Sequence, residues 1–167
     1  MSTQQFQGAV EMLGGLDLKA TKLQGAMVNV ISVGNATTTL RKDQSGSYCL
    51  FDNAAASTVI LPTPEAGLEY TFVTTVTATA DHVIRTATLD TDGFLGGVVS
   101  VSAGASADSF AAASSGANDF ITLNGSTTGG IAGTRIHVCC IDGENWAVDG
   151  QVLTTGTSAT PFGNAQL

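Results

Sequence analysis

The sequence predicts an all-β protein, an antiparallel β-sandwich or small β-barrel with extended N- and C-terminal arms. Three observations predict it. Short apolar runs, many alternating with a period of two, recur along the chain and are separated by Gly, Asp, Asn or Pro. The stretch Thr58-Val-Ile-Leu-Pro-Thr-Pro-Glu-Ala-Gly-Leu-Glu-Tyr-Thr-Phe-Val73 spells a β-branched run, a corner built on Pro62, Pro64 and Gly67, and a second alternating run. The composition is 43% hydrophobic, 6% aromatic and 12% charged. An ordinary soluble protein is about a quarter charged, so this surface must be covered mostly by Thr, Ser, Asn, Gln, Ala and Gly. Hydroxyl-rich surfaces of that kind are usually β-rich, and they suit burial in large assemblies because few charges must be desolvated.

Residues 1–25 stand apart as an N-terminal arm. Phe6, Val10 and Leu13 fall on one helical stripe before Gly14 and Gly15 break it. So short a helix needs a surface to lie on. It reads either as a terminus folded back on its own core or as an arm docking on another subunit. A β domain follows over 26–153. Alternation predicts strands at 27–33, 37–42 and 47–51, the last two as a hairpin about Asp43, Gln44, Ser45 and Gly46. Residues 58–61 and 68–77 flank the proline corner. Strands at 82–89 and 94–101 are separated by Asp90, Thr91, Asp92 and Gly93. Residues 119–123 and 134–141 bracket the glycine-rich 124–133, and a final hairpin turns at Asp142 and Gly143 and returns to 152. The stretch 102–118 is almost entirely Ala, Ser, Gly and Asp apart from Phe110. It reads as a flexible loop, or as chain that orders against a neighbour with Phe110 as anchor. Residues 154–167 form a C-terminal tail in which Pro161 and Phe162 are able to dock. No fixed-period repeat is evident.

With 167 residues the chain is one domain with arms, able to bury roughly 70% of its unfolded surface. Fourteen Asp and Glu against six Lys and Arg give a net charge of −8. Arg41-Lys42 is the densest basic site, far short of the clustered cations that phosphate binding requires, so nucleic acid is not an expected partner. Cys49, Cys139 and Cys140 show no metal or disulfide spacing. In a strand, Cys139 and Cys140 point to opposite faces, and all three read as small buried hydrophobes of a reducing compartment. Neither a signal segment nor a membrane-length apolar run is read from the sequence, which places synthesis in a cytoplasm and predicts no membrane partner.

The motifs with chemically active side chains read as structure. Asp90-Thr-Asp-Gly93 has the start of a calcium loop but Phe94 and Leu95 follow, so it is a polar turn. Asp81-His82 is adjacency without a triad's geometry, and His82 and His137 read as surface or satisfied strand histidines. Glu65 and Glu69 straddle the corner without the aromatic platform a glycosidase would need. Gly129, Gly130 and Gly133 make no nucleotide fingerprint, and Trp146 reads as a core plug. No catalytic, metal or cofactor site is expected.

The Leu61-Pro-Thr-Pro-Glu-Ala-Gly-Leu-Glu-Tyr-Thr-Phe72 corner and the Asp142-Gly-Glu-Asn-Trp-Ala-Val-Asp-Gly150 hairpin resemble small virion proteins of marine and freshwater (cyanophage-like) tailed bacteriophages, in particular head decoration or cement proteins. The resemblance covers residues 37–152. It implies a non-enzymatic protein, commonly a homotrimer, assembled in the host cytoplasm onto the capsid exterior. There it clamps neighbouring subunits of the major capsid protein. The same kind of module also serves in tail or neck parts, so a tail, neck or receptor-binding role is the alternative. The arms carry the candidate capsid-interface residues: Phe6, Val10 and Leu13, because an exposed apolar stripe needs a partner, and then Phe162.

Overall fold

A computed structural model of the chain describes residues 28–102, 104, 106–113 and 118–164. Phe6, Val10 and Leu13, and with them the helical stripe, lie outside the described residues.

Among the described residues the chain is β throughout apart from one 3-10 turn, Lys42–Gln44. Its strands are β1 (Val30–Ser32), β2 (Thr37–Thr39), β3 (Ser47–Phe51), β4 (Ser57–Ile60), β5 (Glu69–Thr74), β6 (His82–Arg85), β7 (Gly93–Ser102), β8 (Ala107–Ala111), β9 (Phe120–Leu123), β10 (Arg135–Cys140), β11 (Asn145–Thr154) and β12 (Phe162–Gly163). They form a seven-stranded sheet in the order β1-β3-β5-β10-β11-β7-β8 and a five-stranded sheet in the order β12-β9-β6-β4-β2. One core lies between them. Phe51, Phe72, Ile136, Val138, Trp146 and Val152 point in from the larger sheet, and Val59, Ile84, Ile121 and Leu123 from the smaller. The sandwich is therefore as expected.

The antiparallel expectation needs correction. From β1 to β6 the chain alternates between sheets, so each strand pairs with the one two places on. These pairings, β1–β3, β3–β5, β2–β4 and β4–β6, are parallel. Parallel neighbours need a crossover, and here the crossover is a strand of the opposite sheet. Both sheets are mixed, because β5–β10, β10–β11, β7–β8, β6–β9 and β9–β12 are antiparallel while β7–β11 is parallel. For the same reason 37–42 and 47–51 do not form a hairpin: β2 and β3 lie in different sheets. The 3-10 turn between them starts the crossing, and its Arg41 carbonyl accepts bonds from the Gln44 N–H (2.9 Å) and the Tyr70 hydroxyl (2.9 Å).

The proline corner performs the crossing from β4 to β5. Leu61 is fully buried, Pro62 and Pro64 are buried, and the Gly67 N–H donates to the Cys140 carbonyl (2.8 Å), which ties the corner to β10. The strand expected at 82–89 ends at Arg85, where the Thr86 N–H turns to the Asp119 carbonyl (3.0 Å).

Two further corrections concern segments read as flexible. Within 102–118, β8 is an edge strand on β7, and the anchoring ring of Phe110 packs on the chain's own core. In the tail, β12 pairs with β9 and the Thr122 N–H donates to the Pro161 carbonyl (2.8 Å). Phe162 is 7% exposed in the core, so its ring is spent inside the protomer and is not offered to a capsid.

Candidate functional site

Register along the seven-stranded sheet defines its outer face. Residues paired across strands share a face. One row runs Ser32, Leu50, Val73, Arg135, Gln151, Val99, Ser109. A second runs Val30, Tyr48, Thr71, His137, Asp149. Shorter rows join Glu69, Cys139, Ala147 and Leu95, and Leu153, Val101 and Ala107. About half of these side chains are apolar, and among the described residues no third layer packs over them. The charged ones gather at the centre, on β5, β10 and β11.

There His137 Nδ1 lies 3.0 Å from Asp149 Oδ1, directly opposite on β11, and Nε2 lies 3.5 Å from Glu69 Oε2 on β5. Beside them the Arg135 guanidinium sits over the Tyr48 ring, 5.7 Å from its centroid, and Nη2 donates to the Tyr48 hydroxyl at 3.3 Å. A shallow cavity of about 590 Å³ opens here, bounded by Tyr48, Thr71, Arg135, His137, Asp149 and Gln151. Both imidazole nitrogens face carboxylates, so neither is turned to a hydroxyl or thiol nucleophile. The arrangement acts as a polar clasp that joins β10 to β11 and faces Glu69 of β5. Cys139 beside it is held as a thiol: burial pushes its pKa up, helped by Asp149, Glu69 and Cys140.

This cluster was not legible in the sequence. Tyr48 and Arg135 are 87 residues apart, and only the order β3-β5-β10-β11 brings Glu69, His137 and Asp149 together. Period-two alternation placed them on strands; nothing in it specified neighbours.

The other candidates are placed as follows. His82 is fully buried. Its Nε2 lies 3.1 Å from the Asn53 carbonyl and its pKa is lowered, chiefly by burial, against smaller opposite effects of that bond and of Asp81. Glu65 turns to Lys42 (2.5 Å) and Glu69 to His137, so the two carboxylates serve different partners. Asp92 accepts from the Thr88 N–H (2.9 Å) and Asp119 from the Asp90 N–H (3.1 Å), where Asp90 has φ of +59°. These carboxylates brace a turn, and among the described residues no group of three or more His, Cys, Asp or Glu is placed to hold a metal ion. Cys49 and Cys140 are buried and face the core, whereas Cys139 is on the outer face. Burial raises the Cys49 pKa to about 12. Trp146 is fully buried and fills the core. No described helix is long and apolar enough to cross a membrane.

No protein-family model, no curated protein and no solved structure matches this chain.

Proposed function

We propose that this chain is a non-enzymatic structural protein of a tailed-phage virion. It decorates the outside of the head as a homotrimer and stabilises the lattice of the major capsid protein. The reading rests on the resemblance of the corner and the terminal hairpin, and one structural observation supports it most. The broadest surface of the described fold is a sheet face of mixed apolar and polar side chains, whose one histidine–carboxylate cluster is closed on itself. Surfaces of that kind suit contact with other proteins better than turnover of a substrate.

Binding to the assembled lattice and not to separate capsid subunits shifts the equilibrium toward the intact shell by mass action. Three linked copies gain avidity, so each contact is individually weak. The net charge of −8 keeps the protein away from DNA, and the reading involves no cofactor, nucleic acid or membrane. Phe6, Val10 and Leu13 remain the proposed lattice anchors.

Co-sedimentation of the purified protein with expanded capsids tests this. The full chain is expected to pellet with capsids, and a chain lacking residues 1–15 is expected to stay in solution while melting like the full chain. Immunogold labelling confined to the tail, or adsorption to host cells without capsid binding, would replace the head reading with a tail one.

A further inference from the structure

We propose that the cavity over β5, β10 and β11 is a binding site for a neutral sugar. The first observation is unspent hydrogen-bonding capacity. Arg135 donates only from Nη2, to the Tyr48 hydroxyl, and Asp149 is engaged only at Oδ1, by His137. Glu69 meets His137 through Oε2 alone, at 3.5 Å. Among the described residues, the rest of the guanidinium, Asp149 Oδ2, Glu69 Oε1 and the side-chain amide of Gln151 have no partner. All four side chains border the same cavity of about 590 Å³. That volume lies within the range of small-molecule sites, where a few convergent polar groups fix the ligand.

The second observation is shape. Gly97 of β7 brings no side chain to this face, and a second cavity of about 460 Å³ there shares Asp149 and Gly150 with the first. The two adjoin as one trough from Tyr48 on β3 to Gly97 on β7. In the order β3-β5-β10-β11-β7 these strands lie about 19 Å apart, at about 4.8 Å per interval. That length suits an oligosaccharide better than a single ring.

The lining narrows the chemistry further. Two carboxylates, Glu69 and Asp149, against the one guanidinium of Arg135 disfavour a phosphate or other anion. A cation would have Arg135 beside it, and among the described residues no group of three or more His, Cys, Asp or Glu is placed to hold a metal ion. An apolar ligand would leave the polar groups unpaired. A neutral polyol matches the set, because each hydroxyl both donates and accepts. It gives protons to Asp149 and Glu69, takes them from Arg135, and finds either role in the Gln151 amide. The Tyr48 ring supplies an apolar wall for the sugar's carbon face.

The inference goes beyond the virion reading and does not rest on it. Its test is an amide NMR titration of the full chain with maltose, cellobiose, lactose and chitobiose, with inorganic phosphate as the anionic probe. At least one disaccharide is expected to bind with a dissociation constant of about 1 mM or tighter. The shifts are expected at Thr71, His137, Asp149 and Gln151 and not in the five-stranded sheet. Gln151→Ala and Tyr48→Ala are each expected to weaken binding about three- to tenfold, the net worth of one good polar contact. Ile141→Ala, at an exposed turn off the face, is expected to bind like the wild type. Circular-dichroism melts check folding, and the exposed position of Gln151 keeps that variant informative if Tyr48→Ala is destabilised.

Silence with all four sugars overturns the inference, as do shifts confined to other residues or binding indifferent to both variants. Phosphate binding at these amides with the sugars silent overturns it too, in favour of an anion. A chain that binds sugar but never pellets with capsids leaves this inference standing and removes the decoration reading. A chain that pellets with capsids and ignores every sugar does the reverse.

Discussion

The imidazole of His82 lies nearly parallel to the ring of Phe51, with 4.5 Å between centroids and 12° between planes. Phe51 belongs to the seven-stranded sheet and His82 to the five-stranded one, so the stack is a direct link between layers. Both side chains are fully buried. Phe72 also stacks with Phe51, with 6.1 Å between centroids.

This position makes stability depend on pH. Burial lowers the folded-state pKa of His82 below its ordinary value near 6.5. The neutral ring is therefore favoured in the fold, and the unfolded chain binds more protons between the two values. The contribution is complete above about pH 6.5 and is lost as pH falls from there toward the lower folded value. Thermal melts from about pH 8 to about pH 5 are expected to show falling stability. His82→Phe keeps a ring in the stack and is expected to flatten that slope. An equal slope in the variant would remove His82 as its cause.

Trp146 is the second anchor, fully buried with its ring 6.0 Å from Tyr70 and tilted 51° to it. Trp146→Ala is expected to cost about 3–5 kcal/mol in urea unfolding through the cavity it leaves. The indole Nε1–H finds no hydrogen-bond acceptor among the described residues. Trp146→Phe therefore loses volume without stranding a polar partner, and is expected to cost less than about 2 kcal/mol.

The sheet tolerates no side chain at Gly150. A Cβ there would stand 2.5 Å from the Arg135 carbonyl oxygen and 2.9 Å from Ile136 Cα, both backbone atoms of the neighbouring strand. Gly150→Ala must displace β10 from β11, with an expected loss of about 1–3 kcal/mol. The displacement also moves Asp149 away from His137. Imidazole chemical shifts of His137 should therefore change in the variant, and unchanged shifts would mean that the strands had absorbed the methyl elsewhere.

Tyr70 holds the 3-10 turn to the core. Its hydroxyl donates to the Arg41 carbonyl at 2.9 Å, and burial raises its pKa to about 12, with Cys49 and Asp43 adding to the effect. Tyr70→Phe is expected to cost about 1 kcal/mol. Amide exchange should quicken first at Gln44 and Ser45, whose N–H groups close this turn.

Strands were legible wherever one face meets the core and the other does not. Alternation at 47–51 and 135–140 is a direct imprint of half-burial, whereas in β7 Ser100 and Ser102 are buried and Val99 is exposed; the prolines at 62 and 64 mark a corner because their rings fix the backbone. Pairing was not legible. A run of Thr at 37–39 suits a strand equally well beside β3 or beside β4, since both neighbours present similar β-branched surfaces. For β8, a run of Ala, Asp and Ser carries no core-facing pattern except Phe110. The backbone hydrogen bonds to β7 decide that it is a strand, and those bonds are blind to side-chain identity. The His137 cluster fell in the same gap, because its members are chosen by which strands lie adjacent.

By itself, then, the amino-acid order determined the β class, the corner and the terminal hairpin, since these depend on local backbone preference and on which side chains avoid water. Folding in three dimensions decided the parallel winding of β1 to β6, the docking of Phe162 in the core, and the clasp of Glu69, His137 and Asp149. These depend on contacts between distant segments, and the free energy of such contacts is set by the whole packed arrangement and not by any one stretch of chain.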